Sequence, residues 1–259
     1  MNIESAVLLV KENSNQKNAI MKKLLSIIPV TFALLMTGNA SGQGFVETVE
    51  GFAFDALFGN ECVVNLTSGE EITGKFSSGT YVTNGLTKIT VKLENGEKVK
   101  MVPEQVVAMR IKSSDLLKLS MISEAGSSIK ELANTDFNDI VNRDWVVFET
   151  AMTPKKTDTY RLLQLLNPGF DSKIKVFAEP SSKTGGLNVG GIQVTGGEDK
   201  AYLFVKGGEK AVKVKKGSYS DNFQELFADC PEMVTAFQSG KIKWDDVAVH
   251  VYAYDQACK

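Results

Sequence analysis

Short strand patterns follow one another closely between residues 61 and 112. Apolar and polar side chains alternate there in runs separated by turn sequences, which predicts five strands, at residues 62–66, 72–76, 86–93, 99–102 and 106–111. The dipeptide Asn95-Gly96, between the third and fourth runs, is typical of a tight hairpin turn. Because short strands over about fifty residues cannot bury both faces of a flat sheet, we expect them to curl into a small barrel.

Two motifs open this region, Val64-x-Leu66-x-x-Gly69 and then Ile72-x-Gly74-x-Phe76. Together they resemble the first half of an Sm-like or SH3-type β-barrel, and the resemblance covers residues 61–112. In Sm-like proteins that bind RNA, an acidic residue and an asparagine follow in the next loop and strand, and a motif with a basic residue and a glycine closes the site. This chain has other residues at 77–81 and at 99–103. The resemblance therefore implies a barrel shape but not RNA binding.

The rest of the chain predicts more strands and then helices. Apolar side chains at helical spacing, among them Val49, Phe52 and Phe58, indicate an amphipathic lead-in that packs on the next segment. Strand patterns punctuated by glycine pairs then suggest an antiparallel meander, at residues 145–148, 160–166, 173–178, 187–194, 201–206 and 211–215. The spacing of apolar residues becomes helical from residue 219. The predicted fold class is mainly β (α+β), with a small N-terminal barrel, a β meander and a C-terminal helical cap.

These patterns also predict how the chain is divided. The predicted segments are a leader at 1–42, the lead-in at 43–60, the barrel at 61–112, a connector at 113–143, a β-rich domain at 144–217 and the helical cap at 218–259.

An uncharged, mostly apolar run occupies residues 24–36. Lys22 and Lys23 stand directly before it and small or polar residues come after it, which is the pattern of a secretory signal peptide over residues 21–42, cleaved near Ala40 or Gly42. The run is too short to cross about 30 Å of hydrocarbon as a helix. Residues 1–20 are polar and fit no part of a signal peptide, so we expect translation to start at Met21. The mature protein is then periplasmic or secreted.

The chain contains three cysteines, Cys62, Cys230 and Cys258. In an oxidising compartment one pair is expected to form a disulfide. Cys230 and Cys258 both lie in the helical region and are the favoured pair, although the sequence leaves Cys62–Cys230 and Cys62–Cys258 open. Cys62 belongs to an apolar strand and is expected to be a buried free thiol. Residues 223–231, followed by a cysteine almost at the C-terminus, resemble uncharacterised secreted proteins of Gram-negative bacteria, which implies location and architecture but no activity.

The sequence predicts no catalytic residue, no metal site and no cofactor. His250 is the only histidine and is expected to be packed or at the surface beside a helical stripe. The run from Asn134 to Asp139 departs from a calcium loop at its sixth and twelfth positions, and a capped helix start explains it better. Asp245 or Asp246 is expected to cap the last helix. The glycine pairs between 185 and 197 match no phosphate-binding loop and fit hairpin turns.

Two regions remain as candidate binding surfaces. Tyr81, in a predicted long loop at residues 77–85, suits adaptable recognition, with a plain connector as the alternative. Lysines cluster further along the chain, and Lys206, Lys213 and Lys215 are the candidates there. A lysine-protected sheet edge is the favoured explanation of this cluster, and a mildly basic face for an acidic partner or an anionic glycan is its functional counterpart.

Charge argues against one class of partner, nucleic acid. The formal net charge is −2, and acidic residues still outnumber basic ones after residues 1–42 are removed, whereas nucleic-acid binding normally requires a basic face. The sequence therefore favours an exported, non-enzymatic binding or scaffold protein of the cell envelope, whose partner is a protein or a glycan. The alternatives are a secreted hydrolase of an unfamiliar kind and, least favoured, an Sm-like RNA binder.

Overall fold

The computed structural model describes residues 44–82, 85–125, 136–154, 159–179, 187–189, 192–195, 201–208, 210–237 and 240–258. The predicted signal peptide, the first part of the segment compared with a calcium loop and the glycine pairs between 185 and 197 lie outside these residues.

The described residues form twelve strands, six α-helices and three 3-10 turns. The strands are β1 (Glu61–Leu66), β2 (Glu71–Val82), β3 (Gly85–Lys92), β4 (Lys98–Met101), β5 (Val106–Lys112), β6 (Trp145–Thr153), β7 (Thr159–Gln164), β8 (Ile174–Ala178), β9 (Leu187–Val189), β10 (Ile192–Thr195), β11 (Ala201–Lys206) and β12 (Val212–Lys215). The helices are α1 (Gly51–Asp55), α2 (Asp115–Ala125), α3 (Phe137–Asn142), α4 (Tyr219–Leu226), α5 (Pro231–Phe237) and α6 (Val247–Ala257), with 3-10 turns at Pro103–Gln105, Lys216–Ser218 and Trp244–Asp246.

Six strands close into an antiparallel barrel in the order β1-β2-β3-β7-β6-β5, and β5 returns to pair with β1. β4 is not one of these six strands, and it pairs antiparallel with residues 89–92 of β3. The barrel encloses fully buried apolar side chains from most of its strands, including Phe76, Ile89, Met109, Ile111 and Leu162. This architecture confirms the predicted mainly β fold class with C-terminal helices, and the barrel is consistent with a small SH3- or Sm-like barrel.

The barrel closes differently from the expectation that residues 61–112 would curl up by themselves. β6 pairs with β5 from Ala108 to Lys112, and β7 reaches β3 through the pair Leu86–Leu162. Strand patterns predict where strands occur but not which distant strand occupies an open edge, so the contribution of β6 and β7 was not foreseen.

Glycine is required where β2 and β3 cross closely. A Cβ atom at Gly74 would stand 2.5 Å from the carbonyl oxygen of Lys92 and 2.7 Å from a methyl group of Val91. Those distances are shorter than van der Waals contact. The backbones of β2 and β3 can therefore approach this closely only because residue 74 has no side chain. Gly74 belongs to the second of the two motifs that resemble the Sm-like barrel.

Of the strands predicted after the barrel, β8, β11 and β12 form a second antiparallel sheet in the order β12-β11-β8, and β9 and β10 form a separate hairpin. One face of this sheet packs on the barrel through Phe177, Leu203 and Val205, which contact Leu163 and Leu165 of the β7 region. The other face packs on the helices α4 to α6 through a larger cluster that includes Val176, Phe204 and Val214. The molecule is therefore layered as barrel, sheet and helical cap.

Residues 45–49 connect the layers. The ring of Phe45 lies 5.1 Å from that of Tyr202 in the second sheet, whereas the backbone N–H of Val49 donates to Oε1 of Gln164 in the barrel at 2.7 Å. Between them, Nη1 of Arg143 donates to the carbonyl oxygen of Glu47 at 2.8 Å. We call residues 45–49 the N-terminal strap.

The cysteines are arranged as predicted. Cys230 and Cys258 form a disulfide with Cα atoms 5.5 Å apart, which joins the start of α5 to the end of α6. Cys62 is buried in the barrel as a free thiol, and burial, aided by the negative charge of Glu61, raises its pKa to about 12. The disulfide fits a protein that folds outside a reducing compartment. Among the described residues, no helix is both long and apolar enough to cross a membrane.

Candidate binding surface

A cluster of aromatic rings occupies one end of the barrel. The ring of Phe54, on α1, is buried and lies 5.7 Å from Phe58, 6.2 Å from Phe76 and 5.2 Å from Tyr81. Ring separations of this size are typical of favourable aromatic pairs. The cluster begins in the core at Phe76 and reaches the surface at Phe58 and Tyr81, so rigid aromatic side chains are presented to solvent from a packed base.

Other exposed apolar side chains lie on the segments that carry this cluster, α1 and β2. Phe52 is 64% exposed, Tyr81 is 41% exposed, and Phe58 and Val82 are each 37% exposed. Single exposed apolar residues are ordinary, but neighbouring ones mark an interaction surface more often than chance. We call Phe52, Phe58, Tyr81 and Val82 the aromatic rim.

The position of Tyr81 is set by a strand rather than by a loop. Residues 77–82 continue β2, and Tyr81 pairs with Leu86 of β3 after a register shift at Thr80. The predicted loop at residues 77–85 is therefore wrong, because pairing with β3 satisfies the backbone of a segment whose serine and glycine content had indicated a turn. Tyr81 is held at a fixed place on the rim.

Two acidic residues lie within electrostatic reach of Tyr81. Burial of the ring raises the pKa of Tyr81, and the charges of Glu50 and Glu179 raise it further. Glu50 stands directly before α1, and Glu179 follows β8. Oε2 of Glu179 also lies 2.9 Å from Nζ of Lys213. Glu179, which no sequence pattern had indicated, thus pairs with one predicted site residue, Lys213, and acts electrostatically on another, Tyr81.

The three candidate lysines do not form one basic face. Lys206 forms an ion pair with Asp229, donates to the carbonyl oxygen of Leu226 at 2.9 Å, and lies 4.5 Å from the ring centroid of Tyr254. Its charge is therefore used to attach β11 to the helical cap. Lys215 is exposed on β12, the edge strand of the second sheet. An exposed lysine on an edge strand fits the protective role.

His250 lies inside the helical cap, where it is 2% exposed. The hydroxyl of Tyr219 lies 2.7 Å from Nδ1 of His250, within hydrogen-bond distance. Burial and the charge of Asp246 raise the pKa of Tyr219. The rings of Phe223 and Phe237 stand 5.0 Å and 4.5 Å from the imidazole. Burial lowers the pKa of His250 to about 4, and the charge of Asp246 opposes that effect. The imidazole is a neutral, packed group, which was one of the two expectations.

Two predictions about helix capping had different outcomes. Asp136 caps α3, since its Oδ1 accepts the N–H groups of Asn138 at 3.0 Å and Asp139 at 3.1 Å. This geometry matches the capped helix start preferred over a calcium loop. Asp246 stands before α6, but its side chain makes no capping hydrogen bond to the described residues of that helix. The preceding 3-10 turn begins the helix instead.

Within the described part of the chain, no group of three or more His, Cys, Asp or Glu side chains is placed to hold a metal ion. Comparisons of the chain with known protein families, curated proteins and solved structures found no match.

The contribution of α1 to the rim was not predicted from the sequence. The sequence did contain an indication, in Phe52, Phe54 and Phe58. Helical spacing cannot place all three on the buried side of one short helix, so at least one of them had to be exposed. The residues that face the core are instead Ala53, Phe54 and Leu57. Phe52 must then point outward.

Proposed function

We propose that the mature chain is a non-enzymatic binding or scaffold protein of the cell envelope. It acts in the periplasm or after secretion, and it contacts an envelope protein or a glycan through the aromatic rim. The observation that carries this proposal is the rim itself, where Phe52, Phe58, Tyr81 and Val82 remain exposed beside a buried aromatic cluster.

The rim has the composition of a contact surface. Aromatic side chains bury a large area at a small entropic cost, and they are enriched at the centres of protein interfaces. Stacking on sugar rings uses the same aromatic faces. Tyr81 adds a hydroxyl group for a directional hydrogen bond, and its attachment to β2 fixes its position before a partner arrives, which lowers the cost of association.

The proposed location is supported by two features at opposite ends of the chain. The signal-peptide pattern of residues 21–42 directs the chain to export, with cleavage near Ala40 or Gly42. The Cys230–Cys258 disulfide is of the kind that persists in oxidising compartments. Such cleavage would leave the N-terminal strap near the start of the mature chain, where it can pack between the barrel and the second sheet.

Photo-crosslinking in living cells tests the proposal. A photoreactive amino acid replaces Phe52 or Tyr81 in the full-length exported chain, and a matched control carries it at Val107, which is 52% exposed on β5. We expect one reproducible envelope protein or glycan adduct from the two rim positions that is absent from the control. Rim variants that give no adduct, or the same adducts as the control, would contradict the proposal.

A further inference from the structure

Exposed apolar side chains also occur on α2, the helix that packs against α1. Where the two helices approach, Nδ2 of Asn60 donates to Oγ of Ser114 at 3.2 Å. Leu116 is 57% exposed and Leu119 is 64% exposed, although both belong to a helix whose Leu117 is fully buried in the barrel core. α2 therefore presents large apolar side chains on both sides.

The outward side of α2 carries two large apolar side chains in its first half and is acidic at its N-terminal end. At 100° per residue, Asp115, Leu116 and Leu119 fall within about 100° of one another, on the side opposite Leu117. All three are exposed. Asp144 has a second exposed carboxylate at the same end of the helix. Its backbone carbonyl oxygen accepts a hydrogen bond from the N–H of Ser113, just before α2, at 2.8 Å.

The lysines nearest to α2 in the sequence have other contacts. Nζ of Lys118 donates to the carbonyl oxygen of Val141 on α3 at 2.6 Å. Nζ of Lys112, at the end of β5, lies 3.5 Å from Oε2 of Glu61. Neither contact involves Asp115 or Asp144, so these lysines are not the counter-ions of the two aspartates.

The same sign of charge extends to α1. Asp55 is exposed on that helix, and residues 44–61 contain four acidic residues but no lysine or arginine. Exposed apolar side chains and exposed carboxylates thus occur together on both helices. We call Phe52, Asp55, Asp115, Leu116 and Leu119 the helical face.

We propose that the helical face binds a cationic amphipathic segment of a partner protein, one that presents lysine or arginine beside apolar side chains. Complementary charge fixes the register of such a segment and excludes partners whose charges repel, while the leucines supply contact area. An anionic lipid surface is disfavoured, because the carboxylates of Asp55 and Asp115 would repel it. This inference rests on the proposed function, since it names the partner class of a surface that shares Phe52 with the rim.

Defined peptides test the partner class directly. The probes are two amphipathic helical peptides of identical leucine pattern, one with lysine and one with glutamate at every polar position. Binding to the mature protein is measured by fluorescence anisotropy at low salt and at a salt concentration that shortens the Debye length to about 5 Å. We expect the lysine peptide to bind about tenfold more tightly than the glutamate peptide at low salt, and the preference to shrink at high salt. Equal affinity for the two peptides would overturn the inference.

Matched variants locate the interaction. The double variant Asp55→Lys and Asp115→Lys, which reverses the two carboxylates of the helical face, should weaken binding of the lysine peptide about tenfold. The control, Glu94→Lys and Glu104→Lys, changes the net charge equally at exposed positions of another part of the barrel and should have little effect. If both double variants weaken binding alike, the effect is one of net charge and the inference is overturned. Circular dichroism of each variant confirms that it is folded.

The outcomes separate this inference from the proposed function. Rim crosslinks to a protein whose contacting segment is acidic or uncharged would overturn the partner class while leaving the binding role in place. Absence of rim crosslinks, with the lysine peptide still preferred, would contradict the proposed function instead. Concentration-dependent dimerisation that is lost in Leu116→Ser with Leu119→Ser would identify a second copy of this chain as the occupant and overturn the inference.

Discussion

Lowering the pH from about 7.5 to about 5.0 should weaken the folded state of this protein through a single side chain. His250 is the only histidine in the chain, and burial lowers its pKa from 6.5 to about 4. The unfolded chain therefore takes up a proton near pH 6.5, whereas the folded protein does not do so until about pH 4. The stability contributed by the neutral side chain of His250 is thus fully present above pH 6.5 and is lost as the pH falls towards 4.

The size of the effect follows from the two pKa values. Over that interval the unfolded histidine becomes almost fully protonated and the folded one remains almost fully neutral. The free energy of unfolding should fall by about 2 kcal/mol as a result. Aspartate and glutamate side chains with ordinary pKa values titrate mainly below this interval and add little.

Urea unfolding at both pH values measures the effect. Tryptophan fluorescence reports on both parts of the molecule, since Trp145 begins β6 of the barrel and the ring of Trp244 stacks on Tyr202 with centroids 5.0 Å apart. The matched variant is His250→Gln, whose amide group can donate or accept a hydrogen bond with Tyr219 but does not titrate. We expect the wild type to lose about 2 kcal/mol and the variant less than about 0.5 kcal/mol.

Equal losses in the two proteins would refute this reasoning, because the pH dependence would then come from other groups. A second measurement does not depend on the variant. The single histidine gives its own imidazole signals in a proton NMR titration of the wild type, and these signals should shift with a midpoint near pH 4. A midpoint near 6.5 would show that the imidazole is solvated.

Two further predictions concern the framework. Replacing Cys230 and Cys258 together by alanine should lower the free energy of unfolding by about 3–4 kcal/mol, because the disulfide closes a loop with a sequence separation of 28. The control variant Cys62→Ala should lower it by about 1 kcal/mol. If the double variant were as stable in urea as Cys62→Ala, the entropic argument would be contradicted. Gly74→Ala should cost about 1–3 kcal/mol, because the new Cβ would stand 2.5 Å from a carbonyl oxygen of β3, whereas Gly208→Ala meets nothing within 4 Å. Similar melting temperatures for the two alanine variants would show that β2 and β3 can separate without cost.

Much of the local structure could be predicted because it is encoded locally. Apolar alternation indicated the barrel strands and most of the later ones, and the number and position of the cysteines favoured the pair that forms. The partners of the strands could not be predicted in the same way. Closure of the barrel by β6 and β7 depends on contacts between residues far apart in the chain, such as Leu86 and Leu162, and no local pattern records them.

The predicted site residues show the same limit. Lys206 and Lys213 were candidates because they belong to a lysine-rich segment, yet their charges pair with Asp229 and Glu179. Whether a lysine is available to a partner depends on which carboxylate the fold brings near it. The acidic residues concerned lie elsewhere in the sequence, and nothing in the lysine segment itself identifies them.

Phe52 is the position where sequence pattern and structure disagree most usefully. The apolar spacing of the lead-in predicted that Val49, Phe52 and Phe58 would all pack inward, and Val49 is buried while Phe52 is largely exposed. Burying a phenylalanine contributes about 1.5–3 kcal/mol, so the fold leaves most of that stabilisation unused at this position. Departures from an otherwise consistent pattern are expected at functional sites. A partner that covers Phe52 together with Leu116 and Leu119 would recover this stabilisation as binding energy, and this is why the exposed faces of α1 and α2 are the first surface to test.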